Sequence, residues 1–339
     1  MRFTSVLAAG TAAVLALGLT ACGSGDGGGD GGGGTDDVTI TMLPKNLGNP
    51  YFEASTAGAQ EAADELGATV EEVGPDAASP DAQVPFINTA AQQGVGALVV
   101  SANDPTAIGD ALEEARSAGT KVVTFDSDTE PQFRDLFVNQ ASPEGIADKQ
   151  LELVADQIGG EGEIAILSAS ANATNQNAWI ALMEEKLASD YPDIELVEIV
   201  YGDDDDQTSF DKTAALLQSH PDLKGIVSPT TVGIAAAARY VSTSDAKGRV
   251  AVTGLGTPNQ MREYVEDGTV EAFALWNPTD LGYLATQAAA ALASGDIAGE
   301  EGDTFDAGRL GEFTVGADGE VLLGDPYVYD ETNIGDFDF

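Results

Sequence analysis

Short apolar runs alternate with helical stretches of ten or more residues along most of this chain, and that alternation constrains its fold more than any other feature. Val38-Thr39-Ile40-Thr41-Met42-Leu43 predicts a buried strand, then a loop through Pro44 and Pro50, then a helix over 51–66 that Gly67 ends. A strand over 69–73, a helix over 81–93 closed by Gly94, and a strand over 97–100 follow. A helix over 106–118 closed by Gly119 leads to a fourth strand over 121–125, which runs into Asp126-Ser127-Asp128. The rhythm then restarts, with helices over 143–158, 177–187, 209–219, 233–240 and 260–266 between strands over 163–167, 195–201, 226–228, 250–254 and 270–275. A long helix over 281–293 and a strand-rich tail over 313–339 complete the chain. Apolar strands of this kind, separated by helices, require a parallel sheet covered on both faces.

Two such sets of similar size predict an α/β protein of two doubly wound parallel-sheet lobes joined by a hinge. The expected lobes are residues 38–138 plus 279–308 and residues 139–278 plus 309–339, with the chain crossing between them more than once. A length of 339 residues and a hydrophobic content of 43% suffice for both cores.

The first 37 residues read as processing and tether, not as fold. Arg2 precedes an uncharged Ala/Leu/Val run over 6–21, too short and too rich in Ala and Gly for a comfortable membrane span but suited to a signal peptide. It ends in Leu19-Thr20-Ala21-Cys22, which resembles the bacterial lipobox, where the Cys is lipidated and becomes the first residue of the mature protein. Residues 1–21 are thus an expected lipoprotein signal peptide. Residues 22–37 are an expected flexible tether, in which Gly23 to Thr35 is almost all Gly beyond Ser24, Asp26 and Asp30. The product would be exported and held by acyl chains at the outer face of the cell membrane, or periplasmic, with the lipid anchor its only link to the bilayer.

Charge and composition exclude whole classes of function. With 14 Lys+Arg against 57 Asp+Glu, a net charge of −43 repels phosphate backbones and anionic headgroups, so nucleic acid is not a partner. One Cys and one His exclude a disulfide framework and leave almost nothing for Cys/His metal sites or Ser/His and Cys/His catalysis. No G-x-S-x-G, H-E-x-x-H or P-loop occurs, and neither a metal nor a cofactor is implied. Asp203-Asp204-Asp205-Asp206 lacks the acid spacing and late Glu of a calcium loop and reads as a solvated acidic face. His220, before Pro221, reads as a surface turn residue.

In open α/β sheets ligands bind beyond the carboxyl ends of the strands. Lys45 and Asn46 follow the first strand, Asn103-Asp104 the third, and Asp126 and Asp128 the fourth. The second half places Asn175, Gln176, Pro229 to Thr231 and Gly256-Thr257 at equivalent points. Tyr51, Phe52, Trp179 and Trp276, the last followed by Asn277, lie close by in sequence. Two such edges facing one another make a cleft of amides, carboxylates and aromatic faces, which suits a neutral polyol.

Lipobox, Gly tether and two βα lobes resemble the substrate-binding lipoproteins of ABC importers with the type I periplasmic-binding-protein fold. Met42-Leu43-Pro44-Lys45, Phe125-Asp126-Ser127-Asp128-Thr129, Ala173-Thr174-Asn175-Gln176-Asn177-Ala178-Trp179 and Gly256-Thr257-Pro258-Asn259-Gln260-Met261-Arg262 resemble the branch holding rhamnose-binding proteins and autoinducer-2 receptors. Ser228-Pro229-Thr230-Thr231 and Asn333-Ile334-Gly335-Asp336-Phe337-Asp338-Phe339 extend the likeness over the whole mature body. The resemblance implies a ligand-holding Lys at Lys45 and Asp at Asp126. It also implies an Asp-Gln pair that here is Asn175-Gln176, and a Pro-x-Ala turn that here is Pro229-Thr230-Thr231. Both departures look like the rhamnose-binding side, and a 6-deoxyhexose methyl group would meet Trp276 or Tyr51. ABC permease subunits are the implied partners, and a monomer the implied state.

Each residue also has a plainer reading. Asp126 and Asn175 could cap a turn or a helix, Lys45 could be a solvated loop charge, and Asp128 could brace its own loop. Trp179 and Trp276 could be core. Against a solute receptor stands an exported glycosidase, with Asp126 and Asp128 as its carboxylates. Two Asp separated by one residue at a strand end suit the required geometry of about 5–9.5 Å poorly. The export signal and the lack of a basic helix-turn-helix exclude a repressor of similar fold.

Overall fold

A computed structural model describes residues 38–339. The signal-peptide, lipobox and tether expectations lie outside the described residues. From Thr39 the alternation runs as β1 (Thr39–Leu43), α1 (Pro50–Leu66), β2 (Thr69–Glu72), α2 (Pro80–Gln93), β3 (Ala97–Val100), α3 (Gly109–Ser117), β4 (Lys121–Phe125) and β5 (Leu136–Asn139). The second set is α4 (Pro143–Ile158), β6 (Gly162–Ser168), α5 (Thr174–Asp190), β7 (Ile194–Tyr201), α6 (Asp206–Ser219), β8 (Leu223–Ser228), α7 (Thr231–Ser242), β9 (Ala251–Gly254), α8 (Pro258–Glu266) and β10 (Ala272–Leu275). Then come α9 (Pro278–Ser294) and four short strands, β11 (Thr304–Asp306), β12 (Glu312–Thr314), β13 (Glu320–Leu322) and β14 (Tyr327–Asp330).

The strands build two α/β lobes with parallel-sheet cores. The first sheet has the order β2-β1-β3-β4-β5-β13, parallel throughout. The second has the order β7-β6-β8-β9, again parallel, and β10 joins it through a parallel bridge between Leu255 and Ala274. Both lobes therefore repeat one winding, in which the second strand lies outside the first and the third lies on its other side. That reversal opens a crevice beyond the carboxyl ends of β1 and β3, and of β6 and β8.

Side chains alternate across each strand, so both faces of a doubly covered strand must be apolar. Ile40, Met42, Val99, Val123 and Phe125 bury on the face that carries α1 and α9. Leu43, Leu98, Val100 and Val122 bury on the other, with Ile87 of α2 and Leu112 of α3. Helices α1 and α9 approach to backbone contact. A Cβ at Gly58 would stand 1.8 Å from the Thr279 carbonyl oxygen, and one at Gly282 would stand 1.8 Å from that of Ser55.

The chain passes between the lobes at three places: from β5 to α4, from β10 to α9, and from β13 to β14. The first and third crossings are tied together, since Leu323 N–H donates to Asn139 O at 2.8 Å and Gly324 N–H to Gln140 O at 3.3 Å. The tail departs from expectation at two strands, the first being β12, which pairs antiparallel with β11 beside α9. β13 pairs with β5 in the first sheet, while β14 pairs antiparallel with β10 in the second. β5 itself was not foreseen in the pattern. Helix α3 begins at Gly109, three residues later than its apolar spacing predicts, because Asp104 Oδ1 accepts the N–H groups of Thr106 and Ala107 at 2.8 Å each and holds that stretch as a turn.

Candidate functional site

The loops beyond the two sheets meet around a cavity that opens to solvent. From the first lobe it is lined by Lys45, Asn49, Tyr51, Phe52 and Asp126. From the second come Gln176, Trp179, Asp204, Pro229, Thr230, Thr231 and Leu255. Leu275 and Trp276, on the middle crossing, close it.

Lys45 ends up there because its loop has no freedom to leave. Gln83, fully buried, donates to Pro44 O at 3.1 Å and Ser101 O at 2.8 Å and accepts the Asn103 N–H at 3.0 Å. Asn103 in turn donates to Lys45 O at 2.9 Å. The ammonium, 3% exposed as a residue, crosses to the second lobe. It donates to Asn175 Oδ1 at 2.9 Å and to Gln176 Oε1 at 3.4 Å, and lies 3.8 Å from Asp126 Oδ2.

Asp126 is set by its backbone. Ser127 N–H bonds back to Phe125 O at 2.5 Å, a three-residue γ-turn that forces Asp126 to φ 60. A non-glycine residue in that region costs free energy and persists only where its surroundings determine it. Here Ser101 Oγ donates to Asp126 Oδ2 at 2.7 Å, and Asn175 Nδ2 donates to Asp126 O at 3.3 Å and Oδ1 at 3.4 Å.

An aromatic wall faces these polar groups. Trp179 and Trp276 lie 6.0 Å apart between ring centroids, Trp276 and Tyr51 6.1 Å, and Tyr51 and Phe52 5.1 Å, all edge to face. Trp276 Nε1–H donates to the Tyr51 hydroxyl at 2.9 Å. Burial first, and then the Asp126 charge beside it, push the Tyr51 hydroxyl well above its ordinary pKa, so it stays a neutral donor.

The expected ligand residues thus divide. Lys45, Tyr51, Phe52, Asp126, Gln176, Trp179, Pro229, Thr231 and Trp276 line the cavity, and Asn175 hydrogen-bonds three of them, Lys45, Asp126 and Gln176. Three sit elsewhere. Asp128 is clasped by Arg134, whose Nε and Nη2 donate at 2.7 and 2.8 Å, and it also accepts Thr129 N–H at 2.8 Å, so it braces its loop. Asn277 caps α9, accepting Thr279 N–H at 2.9 Å. Asn46 lines a neighbouring surface groove with Asp76 and Asp205. Conversely, Asn49, Leu255, Leu275 and Asp204 line the cavity without having been singled out as ligand residues. Asn49 carried a readable signal as the cap before Pro50, and its Oδ1 accepts Tyr51 N–H at 3.1 Å. Asp204 was hidden inside the acidic run taken for a solvated face. Among the described residues, no group of three or more His, Cys, Asp or Glu is arranged to hold a metal ion.

The periplasmic binding protein domain matches residues 40–297. The chain belongs to the periplasmic binding protein family. A sugar ABC transporter structure from Actinomyces odontolyticus ATCC 17982 is 55% identical, covering 89% of this chain and 98% of that one, with a TM-score of 0.73. An ABC transporter solute-binding protein from Clostridium phytofermentas with bound L-rhamnose is 36% identical over 88% of this chain and 98% of that one, with a TM-score of 0.85. LsrB from Clostridium saccharobutylicum in complex with AI-2 is 27% identical over 89% and 100%, with a TM-score of 0.84. As a periplasmic binding protein the chain is an extracytoplasmic, non-enzymatic solute-binding component of an ABC transporter.

Proposed function

We propose that this periplasmic binding protein captures a monosaccharide, L-rhamnose or a related 6-deoxyhexose, and delivers it in the closed form to an ABC permease. The observation that carries the reading is the pairing of a buried Lys45–Asp126–Asn175–Gln176 cluster with an aromatic wall around one cavity. Carboxylate, ammonium and amides match vicinal hydroxyls, and the wall offers apolar faces to ring C–H groups and a methyl. The likeness to the L-rhamnose-bound protein from C. phytofermentas supports the sugar assignment. Lys45 of the first lobe reaching Asn175 and Gln176 of the second supports reading the present arrangement as the closed one. A ligand favours closure only through its greater affinity for the closed state, so contacts made from both lobes are the ones that matter.

A second reading, a receptor for autoinducer-2, is favoured by Lys45, Asp126 and the fit to LsrB. Asn175 and Thr231 weigh against it, because they change the donor and acceptor pattern that the resemblance implies for that ligand. Residues 1–21 and Cys22 support export and lipid anchoring, and Cys22→Ser is expected to move the protein from the membrane to the soluble fraction.

Thermal unfolding of the full chain in detergent, with L-rhamnose, autoinducer-2 and D-ribose added separately, tests the reading. A ligand at about 100 times its Kd adds about 2.7 kcal/mol, a shift of several degrees. A rise with L-rhamnose alone supports the proposal. A rise with autoinducer-2 alone replaces it with the second reading.

A further inference from the structure

The scheme above leaves one carboxylate of the cavity unused. Asp204 stands between β7 and α6, in the lobe opposite Asp126, and lines the cavity with Lys45 and Asp126. Its neighbours have other duties. Asp203 is exposed, Asp205 caps α6 by accepting Thr208 N–H at 2.7 Å, and Asp206 pairs with Arg239 at 2.6 Å. Asp203 and Asp204 both hold left-handed backbone, at φ 54 and φ 50, and this turn carries the second of them inward.

The side-chain amide oxygens of the second lobe are already taken. Asn175 Oδ1 is filled by Lys45 Nζ at 2.9 Å and Gln176 N–H at 3.0 Å, and Gln176 Oε1 is taken by Lys45 at 3.4 Å. Asp204 Oδ1 accepts from Thr230 Oγ1 at 2.5 Å, which fixes the carboxylate, and its other oxygen receives no hydrogen bond. A carboxylate with a spare oxygen in a half-buried cavity offers an acceptor for a hydroxyl.

We propose that Asp204 is a specificity-determining ligand contact whose spare oxygen accepts a hydrogen bond from a hydroxyl of the bound sugar. Thr230 is its positioning residue. The inference rests on the sugar-receptor reading and adds a first-to-second-lobe pair of carboxylates, Asp126 and Asp204, that would grip the ligand from opposite sides.

Calorimetric titration of the full chain in detergent with L-rhamnose, autoinducer-2 and D-ribose separates the two ideas. Wild-type binding tests the reading. The variants, measured with whichever of these sugars wild type binds, test Asp204. Asp204→Asn and Asp204→Ser are each expected to weaken binding about tenfold to a hundredfold, the range for a hydrogen bond to a charged group. Asp203→Asn removes the same charge from the same turn outside the cavity and is expected to leave affinity unchanged. Thr230→Val is expected to weaken binding by a smaller factor that vanishes in the Asp204→Asn background, a coupling that a merely structural threonine would not give. Wild-type affinity within twofold in folded Asp204→Asn, by circular dichroism, overturns the proposal. Wild type that answers to another sugar but not L-rhamnose overturns the rhamnose reading alone, and wild type that answers to none overturns both.

Discussion

Lys45 Nζ and Asn175 Oδ1, 130 residues apart in sequence, meet at 2.9 Å and join the two lobes through a buried hydrogen bond. Because that bond exists only when the lobes are together, it belongs to the closed state and not to either lobe alone. Lys45→Met should leave each lobe folded while removing the bond and the cation beside Asp126. Small-angle scattering of ligand-free protein should then show a larger radius of gyration than wild type. An unchanged radius would mean that the Lys45 contact contributes nothing to closure.

Asp126 holds its left-handed turn at φ 60 and its carboxylate in contact with Ser101, Asn175 and Lys45. Asp126→Ala should reduce ligand affinity by roughly 30-fold or more, since truncating one partner of a buried hydrogen-bonded charge pair costs about 2–5 kcal/mol of binding. The circular dichroism spectrum should stay native. Retained affinity would remove the main polar anchor from the proposed site.

Asp128, two residues on, should behave in the opposite way. Arg134, with a side chain 4% exposed, has Asp128 as its carboxylate partner and would be left as a buried cation without one. Asp128→Ala is expected to lower unfolding free energy by about 3 kcal/mol in urea titration. Ligand affinity, measured well below the unfolding temperature, should change by less than threefold. A large affinity loss with intact stability would return Asp128 to the ligand site.

Helices α1 and α9 set a fourth test. Gly58→Ala places a methyl where the Thr279 carbonyl oxygen lies at 1.8 Å, and backbone cannot yield as a side-chain tip can. The helices must separate, and overpacking of this kind costs about 1–3 kcal/mol. Gly282→Ala meets Ser55 O in the same way and should cost a similar amount. Variants as stable as wild type would mean that the two helices slide apart freely.

The alternation of strand and helix was legible because the central strands β1, β3 and β4 are short, largely apolar runs buried on both faces, set between longer helical stretches that glycines close. Leu136 to Asn139 escaped because four residues between Asp135 and Gln140 carry neither a period nor a turn glycine. β13 could not be placed from sequence, since nothing local states which sheet a three-residue strand will join. At the site, Lys45, Asp126 and Trp276 were readable from their positions at strand ends. Asp128 and Asn277 share those positions, but their side chains turn to Arg134 and to a helix terminus instead. Asp204 was masked by its own neighbours: a run of four aspartates reads as solvated, and only the left-handed turn at Asp203 and Asp204 separates one of them from the rest.

That turn carries a cost that pH should expose. Burial, opposed by the Lys45 charge and the Thr230 hydroxyl and reinforced by the Asp126 and Asp203 charges, raises the Asp204 pKa above the ordinary 3.8. The folded protein therefore takes up this proton more readily than the unfolded chain. Between 3.8 and the raised folded value the native state binds more protons, so the contribution of this group to stability falls as pH rises through that window. Above that raised value the ionised carboxylate is a burden to the ligand-free fold. Asp204→Asn keeps the acceptor for Thr230 and removes the charge. Its melting temperature without ligand should exceed that of wild type at pH 7, and the gap should shrink toward zero as the pH is brought below 3.8. Paired melting curves of the two proteins at each pH cancel the acid sensitivity of every other carboxylate. A variant less stable than wild type at pH 7 would mean that the Asp204 charge holds the fold together, and a gap independent of pH would mean that it does not titrate differently in the folded state.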